Sequence, residues 1–390
     1  MQDQNISDVL GTAIRFNNPL LSQKSKSKIG RAIYIEPAAE EFLLDLNGYD
    51  QLQVCKGIEA LASTPSPQDG MASTLRPDFL KAKFASASIF NYVIKYRISS
   101  SAVIVTSIKL NKDILGAQKD SSKERSALYE IERIGKVKFT SSSSLSEIES
   151  LKDDSWRAKG AVRKVVTRHA AVNGMLNDYR KAGWLMGVHA DVAFGKDEFD
   201  SFTLFHNPSQ TAKLDFYESV RDNLGVTTEN AKQLSAILRQ VQQDGQPVKW
   251  VVHSQGGIIF KQALAYHLKH YSGQSLNLNS VVFHAGGNNK RVTDKLLNKV
   301  GIRREAPDRD NPFDMVPNLA GFNHLSPAAI TRSLRFSKKV AGENSSIAES
   351  PHTLPFLTLE AYHHFLVLAG DFKSAKYVDR YMQKQARKGH

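Results

Sequence analysis

The sequence predicts an α/β protein with a mostly parallel sheet covered by helices on both faces, preceded by a small α+β domain. Three observations lead there. The chain has 390 residues, more than the roughly 250–300 at which a single core stops growing. From about residue 160 onward, short apolar runs of strand length alternate with stretches of helical periodicity. Strands separated by helices favour parallel pairing with helices on both sides. Before that point the order differs, and residues 31–115 read as a unit of their own.

Residues 1–30 read as a flexible arm. "RAIYIEPAAEEFLLDLNGYDQLQVCKGIEALAST" then predicts a strand and two helices, because Phe42, Leu43 and Leu46, and then Val54, Ile58 and Leu61, recur at helical spacing. After a Pro/Gly-rich break, "FNYVIKYRISSSAVIVTSIKL" alternates around the polar turn Ser99-Ser100-Ser101, a hairpin pattern. This strand–helix–helix–hairpin order, with Tyr96-Arg97 in the first hairpin strand, resembles the small RelE/ParE-type toxin fold. Residues 116–160, with "SSKERS" and "TSSSSLSEIESLKDDS", read as a linker with helical pieces.

The second half, residues 161–390, is read element by element. "AVRKVVTRHAAV" is a strand and "NGMLND" a loop; "YRKAGWLMGVHADVA" is a helix and "FTLFHNPS" a strand. "TTENAKQLSAILRQVQQ" is a helix capped by Thr227 or Thr228, "VKWVVH" a strand, and a further helix runs from Gly256 to about His270. "LNSVVFHAGG" and "KRVTDKLLNKV" add a strand and a helix, and "SLRFSKKV" and "LTLEAYHHFLVLAG" are read as another such pair. "AGWLMG" is a buried helix face, an acyl-pocket lining or a membrane border.

Composition narrows the function classes. With 41% hydrophobic and 23% charged residues the chain is globular in type, and no apolar run approaches the ~20 residues of a membrane-spanning helix. The first thirty residues lack the basic start and unbroken apolar core of a secretory signal. Synthesis in the cytoplasm without a signal peptide is the expectation. A single cysteine, Cys55, excludes an internal disulfide framework. No metal-ligand spacing appears, and "HAGGNNK" lacks the Walker ending and reads as a strand-end turn, so no cofactor or metal is expected. The formal charge of +13 is uneven: residues 1–150 hold 19 basic and 17 acidic side chains, the remainder 33 and 22, leaving +11 on the second part. That excess suits an anionic lipid surface, nucleic acid or a plain solvated basic face.

The chemistry centres on "VKWVVHSQGGIIFKQAL", residues 248–264. An apolar strand runs into Val252-His253-Ser254-Gln255-Gly256 and a helix begins at once. A serine in a strand–turn–helix elbow is held in a strained backbone with its hydroxyl exposed at the carboxyl end of the sheet. The string is similar to G-x-S-x-G, with Val252 where glycine usually stands. The plain alternative is a serine capping the next helix.

A nucleophilic serine needs a base, an acid that orients the base, and donors for the oxyanion. Residues 161–390 resemble the α/β-hydrolase fold, in which the partners follow in the order serine, acid, histidine. The resemblance places the acid at Asp314 in "NPFDMVPNLAG", similar to the acid loop of many lipases, with Asp308 and Asp310 as neighbours that compete. It places the base at His352 in "SPHTLPF", with His363 or His364, and then His324, as alternatives. The oxyanion donors would be the backbone N–H of Gln255 and that of Gly174 or Met175 in "AVNGMLND", with "FHNPS" as a competing loop.

Taken together, "VVHSQGG", "FHAGGNN", "FDMVPNLAG" and "SPHTLPF" resemble the lipase-like domains of bacterial type VI and polymorphic toxin effectors. What that implies is a serine ester hydrolase, lipase or phospholipase A in type, cleaving acyl esters of membrane lipid at an anionic membrane surface. It also implies export by a specialised secretion system, action at a target-cell membrane, and an immunity protein or secretion carrier as partner. The competing class is a nucleic-acid-directed toxin with a RelE-like ribonuclease unit contacting phosphates through Lys81, Lys83, Lys95 and Arg97; near neutrality of residues 1–150 speaks against it.

Overall fold

The structure, a computed structural model, describes residues 11–21, 31–63, 92–98, 101–110, 126–175, 177–208, 227–340 and 346–387. It divides into two compact units at Arg125/Ser126. Among the described residues no helix is long and apolar enough to cross a membrane.

Among its described residues the first unit is a four-stranded sheet with two helices. Strands β1 (Ile14–Arg15), β2 (Ala32–Ile35), β3 (Tyr92–Ile98) and β4 (Ala102–Leu110) lie in the order β1-β2-β4-β3. β2 and β4 are parallel, and the outer pairs are antiparallel. Helices α1 (Pro37–Leu44) and α2 (Gly48–Ser63) follow β2, as their spacing predicts. Leu43, Leu46, Val54 and Ile58 are buried against Ile35, Ile94, Val103 and Val105 in one apolar cluster. Burial pushes the Cys55 thiol up to about 12, aided by nearby Glu59, which leaves it a core side chain rather than a nucleophile.

The second unit is a mixed α/β layer structure around seven strands. They are β5 (Ala127–Arg133), β6 (Trp156–Val162), β7 (His169–Val172), β8 (Ser201–His206), β9 (Val248–His253), β10 (Asn279–His284) and β11 (Arg303–Arg304). Their order is β11-β10-β9-β7-β8-β5-β6. β11 through β8 are all parallel, while β5 runs antiparallel to both β8 and β6. Among the described residues the helices are α3 (Leu145–Asp154), α4 (Tyr179–Ala193), α5 (Glu229–Asp244), α6 (Gln255–His270), α7 (Lys290–Val300), α8 (Pro327–Val340), α9 (Leu359–Leu368) and α10 (Phe372–Ala386), the last three following the final strand.

Alternation along the strands assigns the two faces. Val172, Phe205, Trp250, Val252, Val281 and Phe283 join a buried cluster with Leu234 and Ile237 of α5, Phe260 and Leu264 of α6, and Leu297 of α7. The intervening residues His253 and His284 point to the other face, where His189 of α4 meets them.

Three expectations from sequence are corrected. The stretch 116–160 is not a linker from Ser126 on: β5, α3 and β6 belong to the large sheet, while residues 116–125 lie outside the described residues. The serine-rich run misleads because Ser144 is a capping-box N-cap, its side chain taking the Glu147 N–H. "SLRFSKKV" is the end of helix α8, not a strand; Ala329, Ser333 and Phe336 form its buried stripe at helical spacing. "AVRKVVTRHAAV" supplies parts of two strands, β6 and β7, rather than one.

Within α4 the "AGWLMG" run is buried throughout, so it is an internal helix face. Gly187 is needed there: a Cβ would stand 2.3 Å from the Trp156 ring. That ring is pinned by the Arg133 guanidinium 4.1 Å above it and by stacking on Phe199. Alanine in a helix interior normally gains about 1 kcal/mol over glycine; here overpacking costs about 1–3 kcal/mol. Gly187→Ala should therefore lower the urea midpoint, and an unchanged or raised midpoint would contradict this packing.

Candidate active site

The site is assembled at the carboxyl ends of β7 and β9. From β7 the chain leaves through α4 to β8 on one side; from β9 it leaves through α6 to β10 on the other. Adjacent parallel strands whose connections depart in opposite directions open a crevice between them. Ser254 follows β9 and Gly174 follows β7, so both stand at that crevice.

Ser254 holds φ 57° and ψ −127°, and its side chain makes no helix-capping bond. A non-glycine residue at positive φ is strained by about 1–3 kcal/mol and persists only where its surroundings fix it. The fixing contacts are visible. Ser254 O accepts from Gly257 N (3.0 Å) and Gly287 N (2.9 Å). Gly256 lies against β7, where a Cβ would stand 2.7 Å from Val172 O. Gly174 meets the nucleophile itself, with a Cβ position 2.5 Å from Ser254 Cβ. Val252, in place of the usual glycine, sits in the buried cluster with α5, α6 and α7. The close approach is made by Gly256 instead.

The three side chains expected at the site meet. His352 Nε2 lies 2.9 Å from Ser254 Oγ, and His352 Nδ1 lies 2.7 Å from Asp314 Oδ2. Since the carboxylate accepts, Nδ1 carries the proton and Nε2 presents its lone pair to the serine hydroxyl. Asp314 is fully buried, and its second oxygen accepts from Val316 N at 2.9 Å. The arrangement can take the Oγ proton onto Nε2 while the carboxylate steadies the imidazolium.

The competing residues lie elsewhere. Asp308 and Asp310 both pair with Lys290, and Asp308 also pairs with Arg304. Burial raises Asp310 to about 6, with Lys290 opposing the shift. His324 and His364 are exposed, and His363 is half-buried on α9; none has a bond to Ser254. Among the described residues no cluster of His, Cys, Asp and Glu could hold a metal ion.

Around the proposed oxyanion position, side-chain amides fix the loops. Asn173 Nδ2 donates to Gly174 O (2.8 Å) and Asn207 O (3.1 Å), and Asn173 Oδ1 accepts from Asn207 N (2.8 Å). Asn207 Nδ2 donates to Gln255 Oε1 at 2.8 Å, and Asn230 Nδ2 donates to Asn207 Oδ1 at 2.8 Å. With Gly174 O held by Asn173, the planar trans peptide directs the Met175 N–H the opposite way. "FHNPS" thus supplies a brace, Asn207, between the loop after β7 and the elbow.

Sequence reasoning passed over three buried histidines behind Ser254. His253 points away from Ser254, as adjacent residues on an elbow do, yet its ring lies tilted against His352 with centroids 4.7 Å apart. His189 and His284 continue the column of tilted rings. The usable signal was their placement at strand ends and in an apolar helix stretch, where a titratable ring is not solvated.

Burial, the largest cause in each case, lowers His206 to about 4 and His284 to about 3, and puts His189 and His253 well below the ordinary 6.5. Unfolding restores an ordinary imidazole, so below about pH 6.5 the unfolded chain binds more protons. Stability should then fall as pH drops from 7 to 5, by up to about 1.4 kcal/mol per pH unit for each such histidine. Urea midpoints of the full chain at pH 7.0 and 5.5 test this; equal values would refute neutral burial. Compared with protein-family models, curated proteins and solved structures, the chain matches none of them.

Proposed function

We propose that residues 126–390 form a serine ester hydrolase of α/β-hydrolase type that cleaves acyl esters of membrane lipid, as a phospholipase A does. The observation that carries this reading is the Ser254–His352–Asp314 chain, at 2.9 and 2.7 Å, set on a strained elbow at the sheet's crevice.

Ser254 Oγ attacks the acyl carbonyl as His352 Nε2 takes its proton, giving a tetrahedral oxyanion. The N–H groups of Gln255 and of Met175 or Gly174 receive that oxyanion. As the intermediate collapses, His352 returns the proton to the departing alcohol oxygen, leaving an acyl-serine. Water, deprotonated by His352, then releases the fatty acid and restores Ser254. Asp314 holds the imidazole in the productive tautomer throughout.

The choice of lipid over other esters is supported by charge: the +11 balance of residues 151–390 would concentrate this part of the chain at anionic headgroups. The likeness of its motifs to secreted effector domains supports export by a specialised secretion system and action at a target-cell membrane. On this reading residues 31–115 dock a secretion carrier or immunity protein. A ribonuclease role gains nothing from the first unit: Arg97 lies 3.7 Å from Glu36, and Lys81 and Lys83 lie outside the described residues.

Ser254→Ala should abolish fluorophosphonate labelling and cut fatty-acid release from phosphatidylglycerol vesicles by at least about 10³-fold, with the far-UV spectrum unchanged. Asp314→Asn should lower kcat by about 10⁴-fold with KM little altered. Undiminished release by either variant would end the assignment. Gly174→Ala, whose Cβ would stand 2.9 Å from Ser254 Oγ, should also lose labelling; wild-type labelling there would place the oxyanion loop elsewhere.

A further inference from the structure

Two imidazoles outside the triad grip the loop that carries His352, and a third backs one of them. His253 Nε2 lies 3.0 Å from His352 O, and His189 Nε2 lies 3.1 Å from Thr353 O. His189 Nδ1 lies 3.0 Å from His284 Nδ1. The rings form a column of tilted contacts, with centroids 4.7 Å apart for His352 and His253, 4.4 Å for His253 and His189, and 5.2 Å for His189 and His284, at interplanar angles of 33°, 33° and 49°. His253 and His284 face each other in register on β9 and β10, and His189 reaches them from α4.

Only one distribution of protons satisfies these contacts. A carbonyl can only accept, so His253 and His189 both donate through Nε2–H. In a neutral ring Nδ1 is then the lone-pair nitrogen. His189 Nδ1 accepts from His284 Nδ1–H, which leaves the lone pair of His284 on Nε2. The two nitrogens left over, His253 Nδ1 and His284 Nε2, are buried and have no hydrogen-bond partner among the described residues. Protons on them would be buried, unpaired donors, so neutrality and tautomer are fixed together.

We propose that His253, His189 and His284 are positioning residues for His352: a column of neutral imidazoles in which His253 and His189 hold two successive carbonyls of its loop, His284 fixes His189, and the loop so held sets the His352 ring against Ser254. The catalytic consequence rests on the serine-hydrolase reading; the grip on the loop does not. The loop needs such a grip because no strand ladder includes it. It runs between a short 3-10 turn, Ile347–Glu349, and α9 at Leu359. From the loop itself, Ser350 Oγ accepts the His352 and Thr353 N–H groups at 3.2 and 3.1 Å. The two matching carbonyls go to the histidines. A displacement of about 1 Å would break the bonds to Ser254 and Asp314, and misplacements of that size can cost about 10²-fold in rate. Neutrality matters as well, because a charged ring stacked on His352 would oppose the imidazolium formed in acyl transfer.

Nitrogen-15 spectra of the histidine-labelled full chain at pH 7 should show Nε2–H tautomers for His253 and His189 and an Nδ1–H tautomer for His284. An imidazolium or a reversed tautomer among them overturns the proposal. His253→Phe keeps a stacking ring but no donor, whereas His253→Gln keeps an N–H donor. In the Phe variant, amide exchange across 351–355 should quicken, and kcat for ester hydrolysis should fall about 10- to 100-fold with KM within about twofold. The Gln variant should recover most of both. A Phe variant with wild-type exchange and kcat, or a Gln variant as impaired as Phe, refutes the clamp while leaving the hydrolase reading intact. Predicted tautomers and exchange in a wild-type chain that fluorophosphonate never labels would keep the clamp and remove the hydrolase.

Discussion

The backbone of Ser254 sits where a side chain other than glycine is disfavoured, and the rest of the site follows from how the fold keeps it there. A φ of 57° would relax if the turn could open. It cannot, because helix α6 starts at the next residue and Gly256 already touches the end of β7. The hydroxyl is therefore presented at the crevice between β7 and β9, and the strain is offset by burial of the strands beneath it. Trp250 and Val252 are wholly enclosed four and two residues before the elbow, and burying such side chains contributes about 1.5–3 kcal/mol each.

That single constraint orders the parts around it. The loop after β7 must be glycine where it passes the nucleophile, and Asn173 then fixes the direction of the following peptide. The loop after β10 must come close enough to donate from Gly287 to Ser254 O. It does so with Ala285 at φ 49°, a second strained residue at the same rim. Asp314 is reached only after β11 has closed the parallel edge, so the acid arrives from the far side of the sheet's sequence and the base still later. Each piece is local and tolerable; their convergence needs the whole sheet.

How much of this was legible in the sequence depended on what kind of physics each element uses. Periodicity marked α1, α2, α5 and α6 because their apolar stripes are real burial patterns, as with Val54 and Ile58. Ser254, Asp314 and His352 could be paired because the resemblance to the α/β-hydrolase fold implies the order serine, acid, histidine along the chain. Helix α8 was misread: "SLRFSKKV" in isolation alternates, and only the longer stripe from Ala329 to Phe336 shows the helix. β5 and β6 were hidden for a different reason. β6 is a partly exposed edge strand paired to β5 through a non-local ladder, and edge strands carry a weak apolar signal.

The histidine stack was invisible for the deepest reason: nothing in a linear pattern says that residues 189, 253, 284 and 352 share one column. Imidazole rather than an apolar ring is what makes the column useful. A phenylalanine at 253 would fill the space but leave the carbonyl of 352 unsatisfied, at a cost of about 1–3 kcal/mol for a buried acceptor. A lysine or arginine would satisfy it but bring a charge beside His352. In a ring smaller than those of tyrosine and tryptophan, neutral histidine combines a flat face, a directed donor and no charge, and burial removes the proton that would spoil the last of these. The same burial that makes the core costly to protonate thus keeps the loop of the base in register with its hydroxyl.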